Sequence, residues 1–187
     1  KIVERTQDNL KAYVLAIPKE ITDSQVETLA VANLRPKVMD TKPLALIRAV
    51  NRKNTLIVNL EEYSMAVIIV VEGLPVIVRT VPLESGDLTP EAKLDLLSQE
   101  LARTTKFYNE SNKKNRLPED TPLYTTGTMF NFLRLADRLT NSSPLRNRLQ
   151  ERTSYPLQIL KPNLESPKIL PLPEYAVNIG LALKALR

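Results

Sequence analysis

Met65 to Val71 reads MAVIIVV, an unbroken run of apolar side chains. A strand with one solvated face alternates apolar and polar residues. One that is apolar at every position has to be covered on both faces. A chain carrying such a strand therefore needs layers on either side of a sheet. The run also has close neighbours, TLIVNL at Thr55–Leu60 and PVIVRTVP at Pro75–Pro82. Between the second and third strands, Glu72-Gly73-Leu74 leaves room only for a tight hairpin. The spacing predicts three consecutive strands, with the middle one central. The third alternates only partly, because Arg79 and Thr80 interrupt its apolar run. Met65 to Val71 is far too short to span a bilayer.

On either side of this block the pattern changes to helices and short strands. Upstream, KAYVLAIP (Lys11–Pro18) predicts a strand and Lys19–Leu34 a helix. Ile21, Leu29 and Ala32 fall on one face of that helix, and Pro36 ends it. Lys37–Asp40 predicts another strand. A helix through Val50 follows, with Thr41 as its cap and Pro43 in its first turn. The polar NRKN of Asn51–Asn54 breaks the chain there.

Downstream, Thr89-Pro90-Glu91 combines a capping hydroxyl, a proline at the first helical position and an acid in the first turn. Leu94, Leu97, Leu101 and Tyr108 form the apolar stripe of the helix it starts, which runs to about Glu110. Ser111–Thr121 predicts a polar loop and Leu123–Thr126 a strand. Met129, Phe132, Leu133, Ala136 and Leu139 predict a second helix, and Ser143-Pro144 starts a third with Leu145 and Leu149. Pro156–Leu160 predicts a strand. Lys161–Pro173 contains four prolines and must be extended. Glu174–Arg187 predicts a buried closing helix. Gly180 in its middle costs about 1 kcal/mol against alanine, and the usual reason to keep such a glycine is close approach of another backbone. From residue 55 the order is β-β-β-α-β-α-β-α, a ribonuclease-H-like α/β arrangement with right-handed crossovers.

The 187 residues contain no cysteine and no histidine. Disulfides, thiolate nucleophiles, imidazole bases and the usual zinc sites are therefore excluded. Only four glycines are present, too few for glycine-rich phosphate loops. A formal charge of +5 permits an acidic partner without announcing nucleic acid. The chain begins at Lys1 rather than Met, and an upstream segment is expected.

Four stretches together resemble the type IV pilus assembly protein PilM family of the actin-like ATPase superfamily. Tyr13–Val50 resembles the strand-helix-strand-helix that ends that family's first lobe. Thr55–Thr89 resembles its second phosphate motif and meander. PLYTTGTMFNFL (Pro122–Leu133) stands at its adenosine turn, and LPEYAVNIGLALKAL (Leu172–Leu186) resembles its closing helix. The resemblance implies that residues 1–50 are the tail of a first actin-like lobe and residues 51–187 a second, ribonuclease-H-like lobe. The family inserts a small subdomain after its Gly-Gly-x-x-(Leu/Ile)-Thr stretch. Here Leu88-Thr89 runs straight into a helix, so that insertion is expected to be missing.

The departures from the family pattern matter most for function. Its phosphate turn reads Asp-x-Gly, where this chain has Asn59, Leu60 and Glu61. Asparagine offers a metal no charge, and Glu61 puts a carboxylate where phosphate oxygens would lie. Such repulsion costs about a few kcal/mol at an effective dielectric near ~20. The double glycine after the meander is replaced by Ser85-Gly86. The paired glycines of the adenosine turn are reduced to Gly127 in Thr126-Gly127-Thr128-Met129. The six residues of this eroded nucleotide cleft are Asn59, Glu61, Ser85, Gly86, Thr126 and Gly127.

The resemblance implies a cytoplasmic scaffold at the inner face of the cell membrane, and the departures make the expected scaffold a non-catalytic one. The resemblance also implies a partner of the PilN type; the eroded motifs imply no cofactor or metal, no nucleic acid is expected, and homo-oligomerisation is left open. The alternative is an ATP- and magnesium-binding actin-like protein whose first lobe lies upstream. Among other candidates, Asp40 reads as a helix cap, and Glu84 and Asp87 as acids before a helix N-terminus. Lys113, Lys114 and Arg116 read as a solvated basic loop. Tyr124, Met129, Phe130 and Phe132 resemble a base-stacking cluster, but Met129 and Phe132 at helical spacing read as core.

Overall fold

The fold is described from a computed structural model. It describes residues 2–5, 9–83, 89–128, 149–158, 160–162, 170 and 172–185. The chain divides into two compact units, Lys1–Met39 and Asp40–Arg187.

In the first unit, β1 (Ile2–Arg5) pairs antiparallel with β2 (Leu10–Ala12), and α1 spans Lys19–Val31. No residue of α1 is buried, and Ile21 is 53% exposed. The strand expected over Lys11–Pro18 ends early, since residues 13–18 belong to no regular element. Nor does Lys37–Asp40 form a strand. A short segment is a strand only where another strand pairs with its backbone, and none among the described residues pairs with residues 13–18 or 37–40.

The second unit is built on a five-stranded sheet ordered β5-β4-β3-β6-β7. Its strands are β3 (Thr55–Leu60), β4 (Ser64–Val71), β5 (Leu74–Pro82), β6 (Leu123–Thr126) and β7 (Leu157–Gln158). The first three form the antiparallel meander that the sequence predicts, and β6 and β7 add in parallel. Glu72 and Gly73 both have positive φ (51° and 73°), which closes β4–β5 as a type I′ hairpin. β4 lies inside the sheet with both faces covered, though β3 takes the middle place.

Two apolar layers sandwich the sheet. α3 (Pro90–Ser111) starts where expected, with the Thr89 hydroxyl accepting from the Ala92 amide at 3.2 Å. Its Leu94, Leu97, Leu101 and Tyr108 pack with Leu56, Val58, Leu60, Met65, Val67 and Ile69. Burying each such leucine contributes about 1.5–3 kcal/mol. On the opposite face, α2 (Lys42–Val50) and α4 (Ala176–Ala185) cover Ile57, Ile68, Val70 and Tyr124. α2 thus belongs to the core of the second compact unit, which begins at Asp40.

The crossing of α2 and α4 explains Gly180. A Cβ there would overlap the backbone carbonyl of Ala45, so only glycine lets the two helices come this close. Asp40 braces the same crossing. It accepts the Thr41 amide at 2.9 Å, as a residue before a helix can, and pairs with Arg48 at 2.7 Å. The Lys184 ammonium of α4 stands 3.5 Å from its other oxygen, and Arg48 also donates to the Gly180 carbonyl at 2.7 Å. The Asp40 side chain is only 3% exposed. Burial pushes its pKa up, but Arg48, the Thr41 amide and Lys184 outweigh burial and hold it below its ordinary value. Thr41 stands at the N-cap, yet its own hydroxyl makes no capping bond.

Candidate functional site

In open α/β sheets, ligands bind beyond the carboxyl ends of the parallel strands, where backbone amides and turns converge. The parallel pair β3 and β6 ends side by side here, with Asn59 in register with Thr126. The residues at and just past these ends form one connected cluster. Asn59 is 1% exposed and Thr126 fully buried. The Thr126 hydroxyl lies 2.9 Å from Asn59 Oδ1 and 3.1 Å from the Val58 carbonyl. This fixes the Asn59 amide so that its Nδ2 donates to Glu61 Oε1 at 3.1 Å.

Glu61 is the hub. Its Oε2 accepts from the Thr128 amide at 3.1 Å and from the Thr128 hydroxyl at 2.8 Å. Its Oε1 takes the Asn59 amide and faces the Lys42 ammonium of α2 at 3.7 Å. Burial raises its pKa. The Thr128 amide and hydroxyl, the Asn59 amide and the Lys42 charge outweigh burial and hold Glu61 below its ordinary value. The carboxylate is therefore charged at neutral pH and bonded through both oxygens.

Gly127 holds the second strand end in place. Its φ is +107°, and a Cβ would overlap the Leu60 backbone at the end of β3. Its amide donates to the Pro173 carbonyl, in the segment leading to α4, at 2.9 Å. Glycine is required on both counts, conformation and space.

Four of the six residues expected at a nucleotide cleft, Asn59, Glu61, Thr126 and Gly127, thus come together. Ser85 and Gly86 lie outside the described residues, as do Glu84, Asp87, Met129, Phe130 and Phe132. Tyr124 is core, with its hydroxyl 3.3 Å from the Arg52 Nε. Lys113, Lys114 and Arg116 are exposed. Two members of the cluster escape sequence reasoning. Thr128 stands in the quoted turn, but nothing local marks it as Glu61's donor. Lys42, distant along the chain, carries no signal at all. Among the described residues no three acidic side chains gather as a metal site would need. No described helix is long and apolar enough to cross a membrane.

No protein-family model matches the chain, and no curated protein sequence does. Solved structures do. The ethanolamine utilization protein EutJ from Carboxydothermus hydrogenoformans aligns with 90% of this chain and 62% of its own at 11% identity, TM-score 0.54. The PilM-PilN type IV pilus biogenesis complex aligns with 90% of this chain and 59% of that one at 20% identity, TM-score 0.52. At these identities the likeness shows the fold, which is that of the actin-like ATPases. The chain spans less than two thirds of the length of either.

Proposed function

We propose that this chain is a non-catalytic actin-like scaffold, related in role to the PilM component of type IV pilus assembly. Its ancestral nucleotide site is closed by its own carboxylate. One observation carries the reading: the charged Glu61 side chain sits on the Thr128 amide and hydroxyl and the Asn59 amide, beyond the ends of β3 and β6. A triphosphate approaching those strand ends meets a like charge, and the donors it would need are taken. Asn59 supplies no charge for magnesium.

The solved complex of PilM with PilN supports a PilN-type segment as the partner class. A protein with this role would work at the inner face of the membrane, held there through that partner. In the same reading, residues 1–50 are the tail of a first lobe and 51–187 a second lobe without its inserted subdomain. The direct succession of Thr89 and α3 supports this. Calorimetric titration with magnesium-ATP tests the proposal. The expected result is no saturable heat up to millimolar nucleotide, and micromolar affinity would overturn the scaffold reading.

A further inference from the structure

The donors around Glu61 do not simply crowd a carboxylate; they sort themselves between its two oxygens. The amide and hydroxyl of Thr128 serve Oε2, while Asn59 Nδ2 and the Lys42 ammonium serve Oε1. That division matches a planar, two-oxygen anion better than a tetrahedral one. The seat is also built independently of its occupant. The Asn59 amide is oriented by the buried Thr126 hydroxyl, and the turn carrying Thr128 is fixed by Gly127 against Leu60 and by the bond to the Pro173 carbonyl.

The geometry points to a carboxylate-binding site that the chain fills in cis, with Glu61 as a tethered ligand. The strand ends and the N-terminus of α2 are thereby joined without any outside anion. Emptied of Glu61, the seat takes a small free carboxylate. This rests on the closed-site reading above and extends it, since it names what the seat recognises rather than what it refuses.

Thermal melting of Glu61→Ala at pH 7 tests the seat, with formate, acetate, inorganic phosphate or chloride added at equal ionic strength. The variant is expected to melt about 5 °C below the wild type. Formate and acetate should restore most of the loss saturably, phosphate less, and chloride only through ionic strength. Wild-type protein should respond alike to all four. Rescue no better than chloride overturns the proposal. Phosphate outperforming the carboxylates overturns its carboxylate selectivity.

If Glu61→Ala does not fold, Glu61→Gln serves. Hydrogen exchange at the Thr128 amide should quicken several-fold in this variant, and an unchanged rate would contradict the seat. Magnesium-ATP titrated into wild type separates the two claims. Binding there sinks the scaffold reading, whereas failed rescue without nucleotide binding sinks only the carboxylate seat.

Discussion

Two regions of the second unit each combine a glycine with a carboxylate, at the α2–α4 crossing and at the ends of β3 and β6. At the crossing, Gly180 is needed for space alone, and Asp40 is answered mainly by the cations Arg48 and Lys184. At the strand ends, Gly127 is needed for space and for a φ of +107°. Glu61 there is answered mainly by uncharged donors, with Lys42 farther off. A buried carboxylate matched by cations is a brace between helices. One matched by backbone and side-chain hydrogen-bond donors fills a place suited to an anion. The first region explains how α2 and α4 are held together; the second is the one on which the closed-site proposal rests.

The largest effect should come from Gly127→Ala. Strain at positive φ adds to overlap with the Leu60 backbone, and roughly 4 kcal/mol should be lost in urea unfolding. Gly180→Ala is the smaller of the pair at roughly 2 kcal/mol, because overlap with Ala45 is offset by about 1 kcal/mol of helix propensity. Equal losses would mean that the conformational demand at Gly127 counts for little.

Asp40→Ala lies between them. It strands Arg48 at a buried crossing and should cost about 3 kcal/mol. Arg48→Met in the same background should restore part of this, as expected for a charge left unpaired.

The smallest effect separates the two carboxylates by charge. Glu61→Gln keeps an acceptor for Thr128 and should cost about 1 kcal/mol at pH 7. Both acids have folded pKa values below their ordinary 3.8 and 4.5. Their stabilisation is complete above those values and is lost as pH falls through the lower folded ones. Stability of the wild type should therefore fall below about pH 4.5, and less steeply for Glu61→Gln. Parallel pH profiles would show that Glu61 is not held low.

Much of the fold is legible because its signals are local. The apolar run at Met65–Val71, the Glu72-Gly73 hairpin, the Thr89 cap and the leucine stripe of α3 each state their own conformation. Gly180 announces a backbone approach but not its neighbour, Ala45. Residues 13–18 and 37–40 mislead, since a short local pattern does not say whether a pairing strand exists. Asp40, expected to cap, stands one residue before the N-cap Thr41 and accepts that residue's amide. Its link to Lys184 depends on the sheet bringing distant segments together. The strand-end cluster follows the same rule. The Asn59–Thr126 contact follows from parallel register between β3 and β6, and Lys42 arrives only because α2 packs on that face.

The central claim is that the ends of β3 and β6 are closed to a triphosphate by Glu61. A residue-resolved amide spectrum followed during titration of magnesium-ATP into the wild-type chain tests it most directly. Signals at residues 59–61 and 126–128 should stay unmoved up to millimolar nucleotide. Saturable shifts at those positions in the micromolar range, with the Thr128 amide leaving Glu61, would contradict it.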